Sequence, residues 1–351
     1  MRTGMTTHFR LRSAWLQATT FGVLGILAAA CGSNDGFSPS AETPLAGAPA
    51  DSALGSDSSP LDSTFAVPID STGVNAIPSG ADAALSAAPG IAFGSFSLKN
   101  DQLGTIQTSS VRAPGPDNIV SLLTGARAKL ARLVILLYGN DGNIRNADGS
   151  FSLSKWKARV YSFRNTNFSS FINDGTVLVH YMIDEPNNPA KWGGKIVPQS
   201  TVEAMAQYSK QFFPNMITLA RVDPTWLASS PVNYVYLDTG WAQYRSSKGD
   251  PLKFITTQIA AAKSKGLGVV AGLNLLNGGN GSSGLRGSGS QWQMSANEVR
   301  SYGTTLLNQS YLCGFVMWEY NATYYGRSDI TSAMTDISAK ARGHSKTSCR
   351  Q

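Results

Sequence analysis

Histidine and cysteine are scarce in this chain of 351 residues, which contains three of each. Residues 91–351 hold only His180 and His344, which excludes a histidine-rich metal site there. The glycine-rich stretch at residues 278–290 lacks the lysine of a phosphate-binding loop, and no G-x-S-x-G nucleophile motif occurs. We therefore predict neither a metal nor a cofactor, and we interpret His180 as a hydrogen-bonded core residue.

Lysine and arginine are absent from residues 32–90, which are rich in Ser, Ala, Gly and Pro and contain seven acidic residues. Such a segment cannot bury enough apolar surface to fold, so residues 31–90 are predicted to form a disordered linker. Residues 91–351 hold 26 basic against 15 acidic residues, a balance of +11. We interpret this charge as an aid to solubility or as attraction to an anionic envelope, with an acidic polymer substrate as the alternative. Nucleic acid is not a predicted partner, because no helix carries a dense basic stripe.

The first 30 residues are predicted to be a signal peptide. Three arginines precede an apolar run at residues 14–30, which is too short to span a membrane and has no basic stop after it. The run ends as LAAAC, which resembles the lipobox of bacterial lipoproteins. That resemblance implies a lipid on Cys31 and a cell-envelope lipoprotein held to the membrane by its anchor. We also predict that the protein is a monomer. The three alanines at 28–30 also fit an ordinary cleavage site, which leaves plain secretion as the alternative.

Apolar strand-like runs alternate with amphipathic helical stretches over residues 91–351, a pattern typical of an α/β domain with a parallel sheet. Seven strands are clear and an eighth is arguable near the start, which predicts a (β/α)8 barrel domain at 91–351. An incomplete or distorted barrel is the alternative. The predicted strands cover residues 91–98, 104–111, 132–139, 176–184, 216–223, 233–240, 267–276 and 312–320.

The last two cysteines are predicted to form a disulfide bond. With Cys31 lipidated, Cys313 and Cys349 remain to pair, and an exported protein folds in an oxidising compartment. Cys313 begins the last predicted strand and Cys349 follows the last helix, so both should lie at the bottom of the barrel.

Glutamate is also rare, with only four in residues 91–351. Glu203 and Glu298 fall on predicted helices, whereas Glu185 and Glu319 end predicted strands. Barrel enzymes place their reactive groups at the carboxyl ends of the strands. Two carboxyl groups facing one another there are what glycoside hydrolysis requires, one to donate a proton and one to attack the sugar or activate water.

The segments IDEP at 183–186 and MWEY at 317–320 resemble two strands of the large (β/α)8 glycoside hydrolase superfamily, in which the catalytic glutamates end strands four and seven. The resemblance implies that Glu185 is the acid/base and Glu319 the nucleophile. It departs from the superfamily at Asp184, where asparagine is usual, and in having three predicted strands between the glutamates instead of two. Asp238, placed at the top of the predicted strand 233–240, is the competing partner for Glu185.

Other polar and aromatic residues near predicted strand tops are candidates for substrate binding. Indole faces suit sugar rings, although packing of loops is the simpler explanation for any single tryptophan. A barrel top closed by salt bridges, with Arg221 neutralising Asp184 or Asp223, is the alternative for the charged residues. The predicted substrate-binding residues are Tyr181, Asp184, Trp192, Arg221, Asp223, Trp241, Asn274, Trp292 and Trp318.

The sequence therefore predicts an exported glycoside hydrolase acting on a polysaccharide or oligosaccharide, either neutral or anionic. The alternative is a non-catalytic surface lipoprotein that binds glycan with the same barrel.

Overall fold

The computed structural model of the chain describes residues 88–345 and 348–349. The predicted signal peptide, Cys31 and the linker up to residue 87 lie outside the described residues. Among the helices that are described, none has the length and apolar character needed to cross a membrane.

Eight parallel strands close into a barrel in which each strand pairs with the next along the chain and the last pairs with the first. This arrangement confirms the predicted (β/α)8 barrel. The strands are β1 Ala92–Phe96, β2 Ser109–Arg112, β3 Arg132–Ile135, β4 Val177–Asp184, β5 Thr218–Arg221, β6 Thr239–Tyr244, β7 Gly268–Leu273 and β8 Leu312–Met317.

Helices cover the outside of the barrel, and one connection differs from the others. Between β1 and β2 the chain forms only a 3-10 turn at Asn100–Gln102, whereas every later pair of strands is joined by at least one α-helix. The α-helices in the described residues are α1 Ile119–Arg127, α2 Leu153–Tyr161, α3 Ser169–Asn173, α4 Gln199–Phe212, α5 Pro224–Ala228, α6 Pro251–Ser264, α7 Ala296–Leu307, α8 Ala322–Tyr325 and α9 Ser328–Arg342.

The apolar side chains form two layers, one inside the barrel and one between the strands and the helices. Strands of a parallel sheet are buried on both faces, which is why β7 and β8 consist almost wholly of buried residues. The upper part of the barrel interior is aromatic. The Phe96 and Trp241 rings stack with their centroids 5.3 Å apart, and Tyr181 lies 5.9 Å from Trp241.

The predicted strand at residues 233–240 is wrong. β6 begins only at Thr239, and the preceding segment is a loop. Glu203 of α4 explains the difference, because its carboxylate accepts hydrogen bonds from the backbone N–H groups of Val235, Tyr236 and Leu237 at 2.7–3.0 Å. Those donors are therefore not available to a neighbouring strand.

The bottom of the barrel is closed by the two ends of the described chain. Cys313 and Cys349 form the predicted disulfide bond, and both residues are fully buried in the barrel interior. At the other end of the chain, Arg132 at the start of β3 donates hydrogen bonds to the carbonyl oxygens of Gly90 at 2.6 Å and Ala88 at 2.8 Å. The chain is thus already bound to the barrel three residues before the predicted domain boundary.

Replacing Cys313 and Cys349 together by alanine is expected to lower the free energy of unfolding by about 2 to 4 kcal/mol, because the bond closes a loop between residues 36 positions apart. Unfolding in guanidinium chloride measures the change. Reductant should lower the stability of the wild type by a similar amount and leave that of the double variant unaltered. If reductant does not change the free energy of unfolding of the wild type, the disulfide bond does not contribute the predicted stability.

Candidate functional site

Glu185 leaves the top of β4 in an unusual backbone conformation. Its φ of 45° lies in the left-handed region, which is costly for a residue with a side chain, and such strained residues cluster at functional sites. Four hydrogen bonds hold it there. Its N–H donates to the Arg221 carbonyl at 2.9 Å, and its carbonyl accepts from the Trp192 indole at 3.0 Å and from the Asn188 N–H at 2.9 Å. Its carboxylate accepts from the Asn188 side-chain amide at 3.2 Å.

Asp184, the last residue of β4, forms buried ion pairs with Arg221 and Lys191 and accepts a hydrogen bond from the Tyr181 hydroxyl at 2.7 Å. Burial alone would raise the pKa of the Asp184 carboxyl, but the two cations outweigh it and hold that pKa well below its usual range. Burial likewise opposes the charge of Arg221, yet Asp184 raises the pKa of the guanidinium above its ordinary value. Both groups are therefore ionised at neutral pH.

Lys191 extends this network to a second aspartate. Its ammonium lies 2.8 Å from Asp141, which follows β3, in addition to its contact with Asp184. Burial would lower the pKa of Lys191, but the two carboxylates raise it. Burial raises the pKa of Asp141 against the opposing charge of Lys191. No group of three His, Cys, Asp or Glu side chains in the described part of the chain is placed to hold a metal ion.

The Arg221 side chain fills the centre of the barrel mouth. Its guanidinium carbon lies 5.0 Å from the Trp318 ring centroid, 5.6 Å from that of Phe96 and 5.8 Å from that of Trp241. It also donates a hydrogen bond to the Gln243 side-chain carbonyl. Only 7% of the residue is exposed. Cation–π contacts and the ion pair together offset the cost of burying this charge.

Glu185 is more accessible than the three aspartates of the mouth. Its side chain is 44% exposed and lies 4.0 Å from Arg221. The other three carboxylates around it are all in close ion pairs. Asp184 is 14% exposed, Asp141 24% and Asp223 30%, the last being paired with Lys248 at 2.6 Å. The alternative of a salt-bridged barrel top thus holds for the aspartates, whereas Glu185 remains open to solvent.

Glu319 follows β8, not the seventh strand. The three predicted intervening strands are present as β5, β6 and β7, and β7 is followed by Asn274, whose side-chain oxygen accepts from the Asn277 N–H at 3.1 Å. In a ring of eight strands, β8 lies opposite β4, so Glu185 and Glu319 belong to opposite walls of the mouth. Trp318, the residue before Glu319, contacts Arg221 and is half-buried.

The prediction that Asp238 ends a strand is wrong, because it precedes β6 and lies at the bottom of the barrel. Its carboxylate accepts from the Lys210 ammonium at 2.6 Å and from the Thr218 N–H at 2.8 Å. Thr218 is the first residue of β5. Asp238 is thus separated from Glu185 by the length of the barrel and ties α4 to the start of two strands.

The predicted sugar-binding tryptophans divide into two groups. Trp192 and Trp241 are buried, with 0% and 1% exposure, so neither offers an indole face to a ligand. Trp192 instead positions Glu185 through its indole N–H. Trp292 and Trp318 are half-buried, and the Arg286 guanidinium lies 3.6 Å from the centroid of the Trp292 ring.

Sequence reasoning missed Lys191, Gln243 and Phe96. Lys191 occurs in the loop after β4, so the presence of lysines close behind the strand-top acids was a usable signal. No comparable signal marked Gln243 or Phe96, which look like ordinary strand residues. His180 behaves as interpreted. Its Nδ1 lies 2.8 Å from the Ser209 hydroxyl, and burial lowers its pKa to about 3, so it is neutral at physiological pH.

Comparison with known proteins finds similar solved structures but no similar family or curated sequence. No protein-family model matches the sequence, and no curated protein is significantly similar to it. A β-glucanase from Saccharophagus degradans is 11% identical, with a TM-score of 0.47 over 72% of this chain and 88% of its own. The catalytic domain of the major endoglucanase from Xanthomonas campestris pv. campestris is 9% identical, with a TM-score of 0.45 over 74% and 98%. An endocellulase from the archaeon Pyrococcus horikoshii is 10% identical, with a TM-score of 0.44 over 68% and 83%.

Replacing Asp184 by asparagine is expected to lower the free energy of unfolding by about 3 to 5 kcal/mol, because it leaves buried Arg221 without its carboxylate. The matched control is Asp223→Asn, whose ion pair with Lys248 is more exposed and should be worth less than about 1 kcal/mol. Denaturant unfolding measures both. An equal decrease in the free energy of unfolding of the two variants would contradict the claim that the Asp184 ion pair stabilises the protein more than the Asp223 ion pair does.

The same ion pair should also make stability depend on pH. Because the pKa of Asp184 is lower in the folded than in the unfolded protein, its contribution is complete above the unfolded value of about 3.9 and is lost as the pH falls below it. Wild-type stability should therefore decline more steeply than that of Asp184→Asn below about pH 4.

Proposed function

We propose that this protein hydrolyses glycosidic bonds at the top of the barrel, with Glu185 as the acid/base. The observation that carries the proposal is the contrast among the mouth carboxylates. Glu185 is more exposed than the three aspartates and is fixed in a left-handed conformation, while Asp141, Asp184 and Asp223 are held in ion pairs of 2.8 Å or less. A carboxyl group that is rigidly held and open to substrate is what proton transfer to a glycosidic oxygen requires.

In the proposed reaction, the protonated Glu185 carboxyl donates its proton to the glycosidic oxygen as the bond from that oxygen to the anomeric carbon breaks. The resulting Glu185 carboxylate accepts a proton from a water molecule later in the cycle. Glu319, on the opposite wall of the mouth, is the proposed partner carboxylate on the other face of the sugar. It either attacks the anomeric carbon, forming an ester that water then hydrolyses, or takes a proton from the water that attacks this carbon. In both cases one water molecule is consumed, since its hydroxyl group ends on the anomeric carbon and its other proton replaces the one given to the leaving oxygen.

The charged network beneath Glu185 has a positioning role in this proposal. Arg221 and Lys191 keep Asp184 ionised, so it does not compete as a proton donor. Arg221 also contributes the carbonyl that fixes the Glu185 backbone. Half-buried Trp318 lies beside Arg221 and presents an aromatic surface at the edge of the mouth.

The local charge favours a neutral glycan over an anionic one. Three carboxylates, Asp141, Asp184 and Glu185, face two cations, Lys191 and Arg221, which gives a sum of −1 when Glu185 is ionised and of zero when it carries the proton that it donates. Neither state offers a net positive charge to an anionic sugar, even though residues 91–351 as a whole are basic. We therefore assign a neutral polysaccharide or oligosaccharide as the substrate class.

A second candidate function is glycan binding without hydrolysis. Two observations favour it. Arg221 occupies the centre of the mouth. Asn274 follows β7, the strand at whose end the glycoside hydrolase superfamily that the motifs resemble has its nucleophile. In this case Glu185 would accept hydrogen bonds from sugar hydroxyl groups and Trp318 would stack against a ring.

We further propose that the protein is exported and anchored through Cys31. The disulfide bond between Cys313 and Cys349 supports export, because such bonds form in oxidising compartments. With those two residues paired, Cys31 is the remaining cysteine of the sequence. The described chain begins at the bottom of the barrel, at the end opposite Glu185.

Replacing Glu185 by glutamine is expected to lower kcat on a neutral polysaccharide by about 10² to 10⁴-fold, because the amide cannot transfer the proton. Binding of the same glycan should persist, since glutamine keeps the shape of the side chain. A hydrolysis screen over neutral and uronic-acid polysaccharides measures product release.

The control for this experiment is Asp238→Asn at the bottom of the barrel, which should hydrolyse at the wild-type rate below its melting temperature. Equal product release by wild type and Glu185→Gln would remove Glu185 from the mechanism. Binding by both proteins with hydrolysis by neither would establish the second candidate function instead.

Replacing Cys31 by alanine is expected to release the protein from the membrane fraction into the soluble fraction of the expressing cells, because the acyl acceptor is lost. Fractionation followed by immunoblotting measures the distribution, and mass spectrometry of the mature N-terminus identifies any lipid. A wild-type protein that is cleaved after Ala30 and carries no added mass at Cys31 would exclude the lipid anchor and support secretion without lipidation.

A further inference from the structure

The helix α2 and the residues around it carry an unbalanced positive charge. Residues 149–173 contain four basic side chains and no aspartate or glutamate. They therefore contribute +4 of the net +11 of residues 91–351, although they make up less than a tenth of that length. The excess charge is thus concentrated on one helix. The four residues are Lys155, Lys157, Arg159 and Arg164.

No acidic side chain neutralises these four cations. None of them forms an ion pair with any residue that the structure describes. The helix α2 packs against α4 and against a 3-10 turn at Asp141–Ile144, and the acids of those two elements are already engaged. Asp141 is paired with Lys191 at 2.8 Å, and Glu203 accepts hydrogen bonds from three backbone N–H groups of residues 235–237. The positive potential of this face therefore extends into solvent.

The cations lie in two short rows beside an exposed ridge, and not in one dense stripe. Lys155 and Arg159 are one helical turn apart on one flank of α2. Lys157 lies on the other flank with Tyr161 one turn later, and the Arg164 guanidinium stacks over the Tyr161 ring. Like charges one turn apart destabilise a helix, so helix stability does not explain this arrangement. Between the two rows, the ridge has only short, exposed side chains, namely Ser154, Ala158 and Ser162.

Partly exposed aromatic rings lie beside the second row. Tyr161 is 44% exposed, and its ring centroid lies 4.3 Å from the Arg164 guanidinium carbon and 5.5 Å from the ring centroid of Phe212 on α4. Tyr208 continues this strip, with the Lys157 ammonium 5.0 Å from its ring centroid. Basic side chains whose stems lie along aromatic rings are typical of proteins at the interface between water and lipid.

We propose that the outer face of α2 docks on an anionic phospholipid surface. Clusters of about four to eight basic side chains on an amphipathic helix bind anionic lipid headgroups. The face is the convex side of a helix, which matches a planar partner better than a polymer chain that must be held in a groove. The inference does not depend on hydrolysis or on a lipid at Cys31, because the contact is made by the barrel domain itself.

Docking through α2 would also orient the barrel mouth. The helix lies between β3 and β4 along the chain, and helices of a (β/α)8 barrel run along its outside, roughly parallel to the barrel axis. With α2 on the membrane, the barrel lies on its side and the mouth opens along the membrane surface.

The test is binding of the full chain carrying Cys31→Ala, which cannot be lipidated at that position, to sedimented vesicles. The vesicles are phosphatidylcholine alone or an equal mixture of phosphatidylcholine and phosphatidylglycerol. We expect binding to the mixed vesicles only, which weakens as the salt concentration rises. Adding K155Q, K157Q, R159Q and R164Q should lower the partition coefficient by about 10²-fold or more, because four basic side chains near the anionic surface are lost.

The matched control removes four exposed lysines elsewhere on the barrel, by K129Q, K253Q, K263Q and K340Q. This control has the same net charge as the α2 variant, and it should bind the mixed vesicles at least about tenfold more tightly than that variant does. An equal decrease in both proteins would overturn the α2 surface, because net charge alone would then explain the binding.

Two further variants separate charge from packing. Exchanging lysine and arginine at the four positions, by K155R, K157R, R159K and R164K, keeps the charge and should leave binding unaltered. K155Q with R164Q changes only the two exposed cations, so the core contacts of α2 are kept, and binding should still weaken about tenfold.

The remaining outcomes would overturn the proposal. A background protein that binds both kinds of vesicle equally, or neither, has no anionic lipid surface. If the background protein binds polygalacturonate but no vesicles, and the α2 variant loses that binding, the face takes an anionic polymer instead of a membrane.

Discussion

The buried ion pair between Arg221 and Asp184 is the interaction on which the barrel mouth depends. The two residues are register partners at the tops of β5 and β4, so their side chains join the strands where the backbone ladder ends. Charges taken out of water need complete partners, and here Lys191 and Tyr181 complete the carboxylate while Gln243 and three aromatic rings surround the guanidinium. The backbone of Glu185 is fixed as a consequence, because its N–H donates to the carbonyl of Arg221 itself.

This constraint shapes what the mouth can bind. Arg221 and the rings of Phe96, Trp241 and Trp318 fill the centre, so the interior of the barrel forms a floor below any ligand. The accessible groups are at the rim, where the Glu185 carboxylate is 44% exposed. A polymer lying across the rim fits this shape better than a small molecule held deep in the barrel.

Hydrophobic patterning was sufficient to predict the barrel and to place Glu185, because a buried run that ends in Asp-Glu-Pro marks a strand top directly. The strand at 233–240 was predicted wrongly for a physical reason that local sequence does not contain. Glu203, some 30 residues earlier, accepts hydrogen bonds from the backbone N–H groups of that segment, so the segment is a loop. The strand therefore begins after Asp238, which lies at the bottom of the barrel and not at the predicted top. The burial of Trp192 was equally invisible, since its indole is held by the backbone of Glu185 across a turn that only the fold creates.

The position of Glu319 carries the largest mechanistic consequence. Strands four and eight lie directly opposite one another in a closed ring of eight, whereas the catalytic glutamates of the glycoside hydrolase superfamily that the motifs resemble end strands four and seven. A sugar placed between Glu185 and Glu319 would therefore lie over the centre of the mouth, directly above Arg221 and its aromatic rings. The guanidinium is neutralised by Asp184 and screened by Trp318, so the floor beneath that sugar is largely apolar. Such a floor suits the apolar face of a neutral sugar and leaves its hydroxyl groups for the carboxylates at the two walls.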